Sequence, residues 1–159
     1  MTDDTRWLDE NELRAWLRLA GVMLRLSPAL DSQLQRDSDM THFDYLCLAM
    51  LSEAEDRNLR MSRLATKVNA SLSRLSHVVK KLEERGWVER FPCEDSRRVT
   101  MVRLTAQGWR VLVDAAPGHV ATVRSLVFDG LGPGDVAHLE RLCGHVVDRI
   151  DAAGLRTVT

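Results

Sequence analysis

Seven side chains clustered between positions 71 and 81 invite a chemical reading: Ser71, Ser73, Arg74, Ser76, His77, Lys80 and Lys81. Short hydroxyls let a backbone approach a groove closely, and a guanidinium of the reach of Arg74 can grip a guanine edge with two parallel donors. The lysines follow one to two turns further on, where phosphate contacts are expected. Interleaved with this set are Leu72, Leu75, Val79 and Leu82, whose spacing predicts a helix with one buried stripe and the polar set on the other face. Ser71 stands where it can cap that helix, and the free amides of such an end favour a phosphate. Further along, Arg97 and Arg98 lie in the polar segment Cys93-Glu94-Asp95-Ser96-Arg97-Arg98, with Arg90 and Arg103 on either side. Paired arginines at a projecting tip suit a narrow minor groove, where negative potential is strongest, and the flanking arginines are placed to face a phosphate backbone. The chemistry these residues suit is recognition of double-stranded DNA by base edges and charge.

The charge distribution points the same way. The chain of 159 residues has a net charge of −1, which conceals an asymmetry. Between Arg57 and Arg103 there are twelve Lys/Arg against five Asp/Glu, a balance of +7, while the remainder holds ten against eighteen, or −8. A basic middle between acidic ends is the footprint of a nucleic-acid site on a soluble body. A solvated charged surface is the competing explanation for the charge alone.

The elements that must position these residues are mainly helical. Leu13, Leu17, Ala20, Leu24, Leu30 and Leu34 predict a long helix opening near Asp9, with a kink or break at Pro28, where Ser27 could cap a second segment. Thr41 and Asp44 form a capping-box pair for a second helix with an apolar face of Phe43, Leu46, Cys47, Met50 and Leu51. A short third helix carries Met61, Leu64, Ala65 and Val68, and Asn69-Ala70 leaves room only for a tight turn before the fourth, which ends at Gly86. Two short helices joined in this way are a helix-turn-helix unit. Trp87–Phe91 and Val99–Leu104 then read as two strands of a hairpin with a charged tip. Thr105 caps a fifth helix, expected to bend at Pro117-Gly118, and Gly132-Pro133 opens a sixth lined by Val136, Leu139, Leu142, Val146 and Ile150. A basic hairpin directly behind a basic helix is a winged helix by organisation.

These residues resemble the MarR family of regulators. The similarity is carried by LATKVNASLSRLSHVVKKLEERGWVER, by the wing ending SRRVTMVRLT and by the LTAQG opening of the next helix, and it extends from Trp7 to about Ile150. Family members commonly carry Asp-x-x-Asp-x-Arg in the wing; here Cys93 and Ser96 stand at the acidic positions, while Arg97 and Arg98 are kept. The resemblance implies a mainly α (α+β) fold, a winged helix-turn-helix core with long N- and C-terminal helices forming a dimerisation platform. It divides the chain into an N-terminal helical arm (1–40), a DNA-binding lobe (41–104) and C-terminal dimerisation helices (105–159). It also implies a homodimer and a small-molecule cavity between platform and lobe. Trp16, with Arg18 and His42 on adjoining helices, is a candidate lining for an effector pocket taking an aromatic or anionic ligand; packing at the dimer interface is the other reading of Trp16.

Other chemistries find little support. Gly130-Leu131-Gly132-Pro133-Gly134 follows a helix, contains Pro and lacks the Lys-Ser/Thr of a nucleotide loop. Asn69-Ala70-Ser71 matches a glycosylation sequon but reads better as turn and cap. Cys47, Cys93 and Cys143 are odd in number and lack CxxC spacing; Cys47 and Cys143 are expected in the core and Cys93 exposed, which disfavours redox sensing. The histidines (His42, His77, His119, His138 and His145) show no HxxxH or HxH pair, so neither metal nor cofactor is expected. No nucleophile has a base nearby, which excludes the common enzyme classes. The acidic start lacks the apolar stretch of a signal peptide, and no apolar run has the length of a membrane span, so a cytoplasmic setting is expected. The reading is a dimeric, ligand-responsive repressor of double-stranded DNA acting on a pseudo-palindromic operator. The alternative is a winged-helix module for protein–protein contact without specific DNA readout.

Overall fold

The computed structural model describes residues 5–94 and 96–154, and of Arg97 only the backbone. Helix α1 spans Glu10–Ser38, and Asp9 caps it by accepting from the amides of Asn11 and Glu12 while its own amide donates to Glu12. The helix runs through Pro28 without interruption, contrary to the expected break. A proline costs one intrahelical hydrogen bond, and Leu30, Gln33 and Leu34 just beyond it are buried, so packing holds the helix in place. Asp39, left-handed at φ 49°, closes α1. Helix α2 (His42–Ser52) begins with the Thr41–Asp44 capping box and buries Asp44, Cys47, Leu48 and Leu51.

A turn at Glu55–Arg57 leads into a strand absent from the sequence reading, β1 (Asn58–Arg60). It pairs antiparallel with the second strand of the hairpin, Leu59 opposite Val102. The wing is therefore the outer part of a three-stranded sheet ordered β1-β3-β2, with β2 at Val88–Cys93 and β3 at Ser96–Leu104. Both hairpin strands run further than expected, so Arg97 and Arg98 belong to β3 beside the turn. Pro92 fits in β2 because that strand is an edge, where a missing amide donor breaks no ladder bond.

Helix α3 (Met61–Lys67) and helix α4 (Leu72–Glu84) are joined through Asn69, left-handed at φ 51°, and buried Ala70. After α4 the amide of Gly86 (φ 74°) donates to the Glu83 carbonyl and that of Trp87 to the Leu82 carbonyl, the paired closure that a C-terminal glycine permits. Leu75, Val79 and Leu82 are fully buried against Leu34, Leu48, Leu64 and Val102. Leu72 was expected in the same stripe but is 40% exposed, since it sits in the first turn, at the edge of the core.

Thr105 caps α5 (Ala106–Val123) by accepting from the Gly108 amide, and its hydroxyl donates to the Gly86 carbonyl at 2.7 Å. Gly108 is obligatory there, because a Cβ would lie 2.0 Å from the Trp87 carbonyl oxygen. The helix is not interrupted at Pro117-Gly118; its departure from α geometry is a wider π turn at Arg124–Phe128. The stretch Ala106–Phe128 is long and apolar enough to cross a membrane by length and composition, contrary to the sequence reading. It packs against α1 and α2 with Leu112, Ala115 and His119 buried, carries Arg110, Asp114 and Arg124, and leaves Val113, Val120 and Leu126 exposed. Helix α6 (Pro133–Ala152) follows, its Gly132 amide donating to Asp135. No residue of α6 is buried, and Cys143, expected in the core, is exposed on it.

Candidate nucleic-acid interface

Helix α4 presents its polar set as the spacing predicts. Ser71 accepts from the Arg74 amide at 3.2 Å, and Ser73, Arg74, Ser76, His77, Lys80 and Lys81 are all exposed. None of the hydrogen bonds or ion pairs among the described residues engages the side chains of Ser73, Ser76 or His77. The Arg74 guanidinium lies over the Phe43 ring at 4.4 Å from its centroid, which steadies a long side chain while leaving its donors open.

The C-terminal half of the helix is engaged differently. Lys81 donates to the buried Asp44 carboxylate at 2.7 Å, and Arg85 reaches the carboxylate and carbonyl of Asp39. Lys80 has only a loose, exposed pair with Glu84 at 4.0 Å. Arg90 donates to Glu83 through its side chain and its amide, and these hydrogen bonds hold the Glu83 carboxyl below the usual carboxylate range. Arg103 pairs with Glu89 across the hairpin at 2.9 Å. Arg90 and Arg103, expected to face a phosphate backbone, are thus already paired within the protein. Arg98 is exposed near the end of the wing, whereas the Arg97 side chain and Asp95 lie outside the described residues.

The three candidate pocket residues do not meet within the chain. The His42 amide donates to Asp31 at 2.6 Å, and Trp16 precedes Asp31 by fifteen residues on the same helix. That separation amounts to about 22 Å of helix, which places Trp16 and Arg18 far from His42. His42 instead borders an open cleft of about 610 Å³ between α1, α2 and α4, shared with Asp31, Phe43, Arg74, His77 and Lys81. Behind it, the His42 and His119 rings lie 5.3 Å apart, and His119 meets Tyr45 at 4.2 Å and the Gln33 side chain at 3.3 Å. Burial lowers the basicity of both imidazoles, opposed at His42 by Asp31 and reinforced at His119 by His42. Burial, with Asp44 nearby, pushes the Cys47 thiol up to about 12, which leaves it inert.

Sequence reasoning missed Asp31, Asp39, Asp44 and Arg85 as partners of this surface. Asp44 was legible as a cap, but its burial and its bond to a lysine 37 positions away had no local signal.

A small sheet behind a capped polar helix, between long flanking helices, defines a winged-helix regulator. The sequence profile of the MarR family matches residues 40–100. A MarR family transcriptional regulator from Streptomyces coelicolor, solved in complex with DNA, is similar at 40% identity with a TM-score of 0.90, over 94% of this chain and 93% of that one. AbsC, another regulator of the family from Streptomyces coelicolor, is similar at 36% identity and TM-score 0.89, over 93% of this chain and 99% of that one. The Escherichia coli transcriptional repressor MprA is 24% identical over 107 residues, and the chain spans 60% of the length of that curated relative. The protein belongs to the MarR family, whose members are transcription regulators and not enzymes.

Proposed function

We propose that this chain is a cytoplasmic, homodimeric repressor that binds both halves of a pseudo-palindromic double-stranded DNA operator. The observation that carries this reading is the open N-terminal face of α4, where Ser73, Arg74, Ser76 and His77 are exposed beyond the half-buried cap Ser71, on a helix held by a packed core. Arg74 reads a guanine edge, Lys80 contacts phosphate, and Arg97 and Arg98 on the wing enter the flanking minor groove. Residues 1–40 and 105–159 supply the dimer platform, and residues 41–104 the lobe that meets DNA. That the similar Streptomyces coelicolor regulator was solved in complex with DNA supports DNA as the partner. An aromatic or anionic effector occupies the cleft beside His42, with Phe43 for a ring and Arg74 for a negative charge. Trp16 and Arg18, too far along α1 to join it, belong to the dimer interface.

Selection of bound fragments from random duplex DNA, followed by titration against salt, tests the reading. A palindromic consensus and an affinity that falls linearly with log salt are expected, since phosphate contacts release counterions. Recovery of no consensus, with binding indifferent to salt, points instead to a protein–protein contact module.

A further inference from the structure

We propose that Lys81 is a strut and not a DNA contact: its ion pair with buried Asp44, reinforced by Arg85 with Asp39, makes these four residues the positioning device of the recognition helix. The inference rests on the DNA-binding reading above and concerns how α4 is held when it reads. One oxygen of Asp44, a side chain 1% exposed, accepts both from Lys81 at 2.7 Å and from the Thr41 amide at 2.9 Å. The same carboxylate therefore starts α2 and ties it to α4. One turn further on, Arg85 donates to the Asp39 carboxylate at 3.0 Å and to its carbonyl, while its guanidinium lies 3.7 Å over the Trp87 ring. Asp39 and Asp44 bracket the corner where α1 becomes α2, so both cations grip the point at which the long arm enters the lobe.

The division along α4 follows from this. The first two turns keep Ser73, Ser76 and His77 open, whereas Lys81 and Arg85, four residues apart on one face, are turned towards the protein. Drawing Lys81 away to a phosphate would leave the Asp44 charge buried and unpaired. That loss outweighs what an exposed phosphate contact returns. The pair thus fixes the angle of the recognition helix relative to α1, and through α1 the spacing between the two recognition helices of a dimer.

The test uses the full-length dimer with an operator selected from random duplex DNA and its counterparts lengthened by one base pair between half-sites. Lys81→Ala is expected to keep the wild-type slope of log affinity against log salt, to lose roughly tenfold on the correct operator, and to discriminate less against the lengthened one. Asp44→Asn is expected to do the same, although removing an acidic charge should by simple electrostatics tighten binding to DNA. The double variant falls no further than either single one, and Lys81→Arg retains the spacing preference. A salt slope reduced by about one in Lys81→Ala, or tighter binding by Asp44→Asn, overturns the proposal. If Asp44→Asn does not fold, as thermal melting would reveal, the slope of Lys81→Met decides alone, because that side chain stands at the helix surface. A wild-type chain without salt-dependent binding defeats the DNA-binding reading itself, which is a separate outcome.

Discussion

Leu75 and Leu142 both occupy helical positions whose spacing promises burial, yet Leu75 is fully buried in the winged lobe and Leu142 is 53% exposed on α6. The contrast extends to the whole of each region. In the lobe, Leu48, Leu64, Val79 and Val102 are completely covered, and no buried side-chain polar atom among the described residues lacks a partner. Along the arms, Leu17, Leu24, Val120, Val146 and Ile150 remain exposed, and large apolar side chains left open in such number are what interaction surfaces are made of. The core of the lobe takes in Leu34 of α1 and Leu112 and Ala115 of α5, whereas the remaining apolar side chains of the arms are left uncovered in this chain.

The largest expected effect attacks the open half. Replacing Val146 and Ile150 together by Glu should convert a species of twice 18.0 kDa into monomer in sedimentation at micromolar concentration. Operator affinity should then fall by about a thousandfold or more, since one recognition helix reads too few base pairs to outcompete non-specific sites. A monomer that still bound a half-site as tightly as the wild type binds the full repeat would erase the contrast between the two regions.

Leu75→Ala sharpens the comparison from the closed side. It should cost about 2–5 kcal/mol in chemical denaturation, the loss typical of a leucine removed from a packed core. The cost should not depend on protein concentration, because the cavity lies inside one lobe. A concentration-dependent loss would mean that the lobe, too, is stabilised across the interface.

Within the lobe, Arg74→Ala should remove about 1–3 kcal/mol of discrimination at one base position per half-site, while Lys80→Ala should weaken all sequences alike and flatten the salt slope. Competition binding with single-base operator variants distinguishes them. An unchanged sequence preference in Arg74→Ala would remove base reading from that residue.

The smallest effect lies at the boundary between the regions, where His119 of α5 meets Gln33 of α1 and His42 and Tyr45 of α2, with Asp31 and Asp37 close by. Burial, and then His42, lowers the His119 pKa. A base with a lowered folded pKa holds fewer protons than the unfolded chain. Its contribution is therefore whole above about pH 6.5 and is lost as pH falls from there towards the lowered value. Melting temperatures should decline on acidification through that window and decline less in His119→Gln. An identical pH profile in the two proteins would place the titration elsewhere.

What was legible in the sequence was what is decided locally. Thr41, Ser71, Thr105 and Gly132-Pro133 mark helix starts because a cap involves only the next few residues, and the polar face of α4 follows from counting along one helix. Strand β1 was missed because three residues have no period of their own and exist as a strand only by pairing with Arg103, Val102 and Met101. Pro28 misled for the opposite reason, since packing of Leu30 and Leu34 overrides a local break. Cys143 and Leu72 lie on apolar stripes, but periodicity identifies a face without saying what will cover it. The ion pairs of Lys81 and Arg90 were invisible in the same way, because each joins elements that only the fold brings together.

The proline in β2 has a bearing beyond the geometry of the wing. A sheet at the end of a molecule offers its outermost strand as a template, and a second chain can extend it, which begins aggregation. Here one border of the sheet is a strand of three residues, and the other lacks a donor at Pro92 and shifts register beside Cys93. Neither border gives a foreign strand an unbroken ladder. Molecules crowded side by side on neighbouring DNA sites can therefore bring their wings together without fusing them into a common sheet.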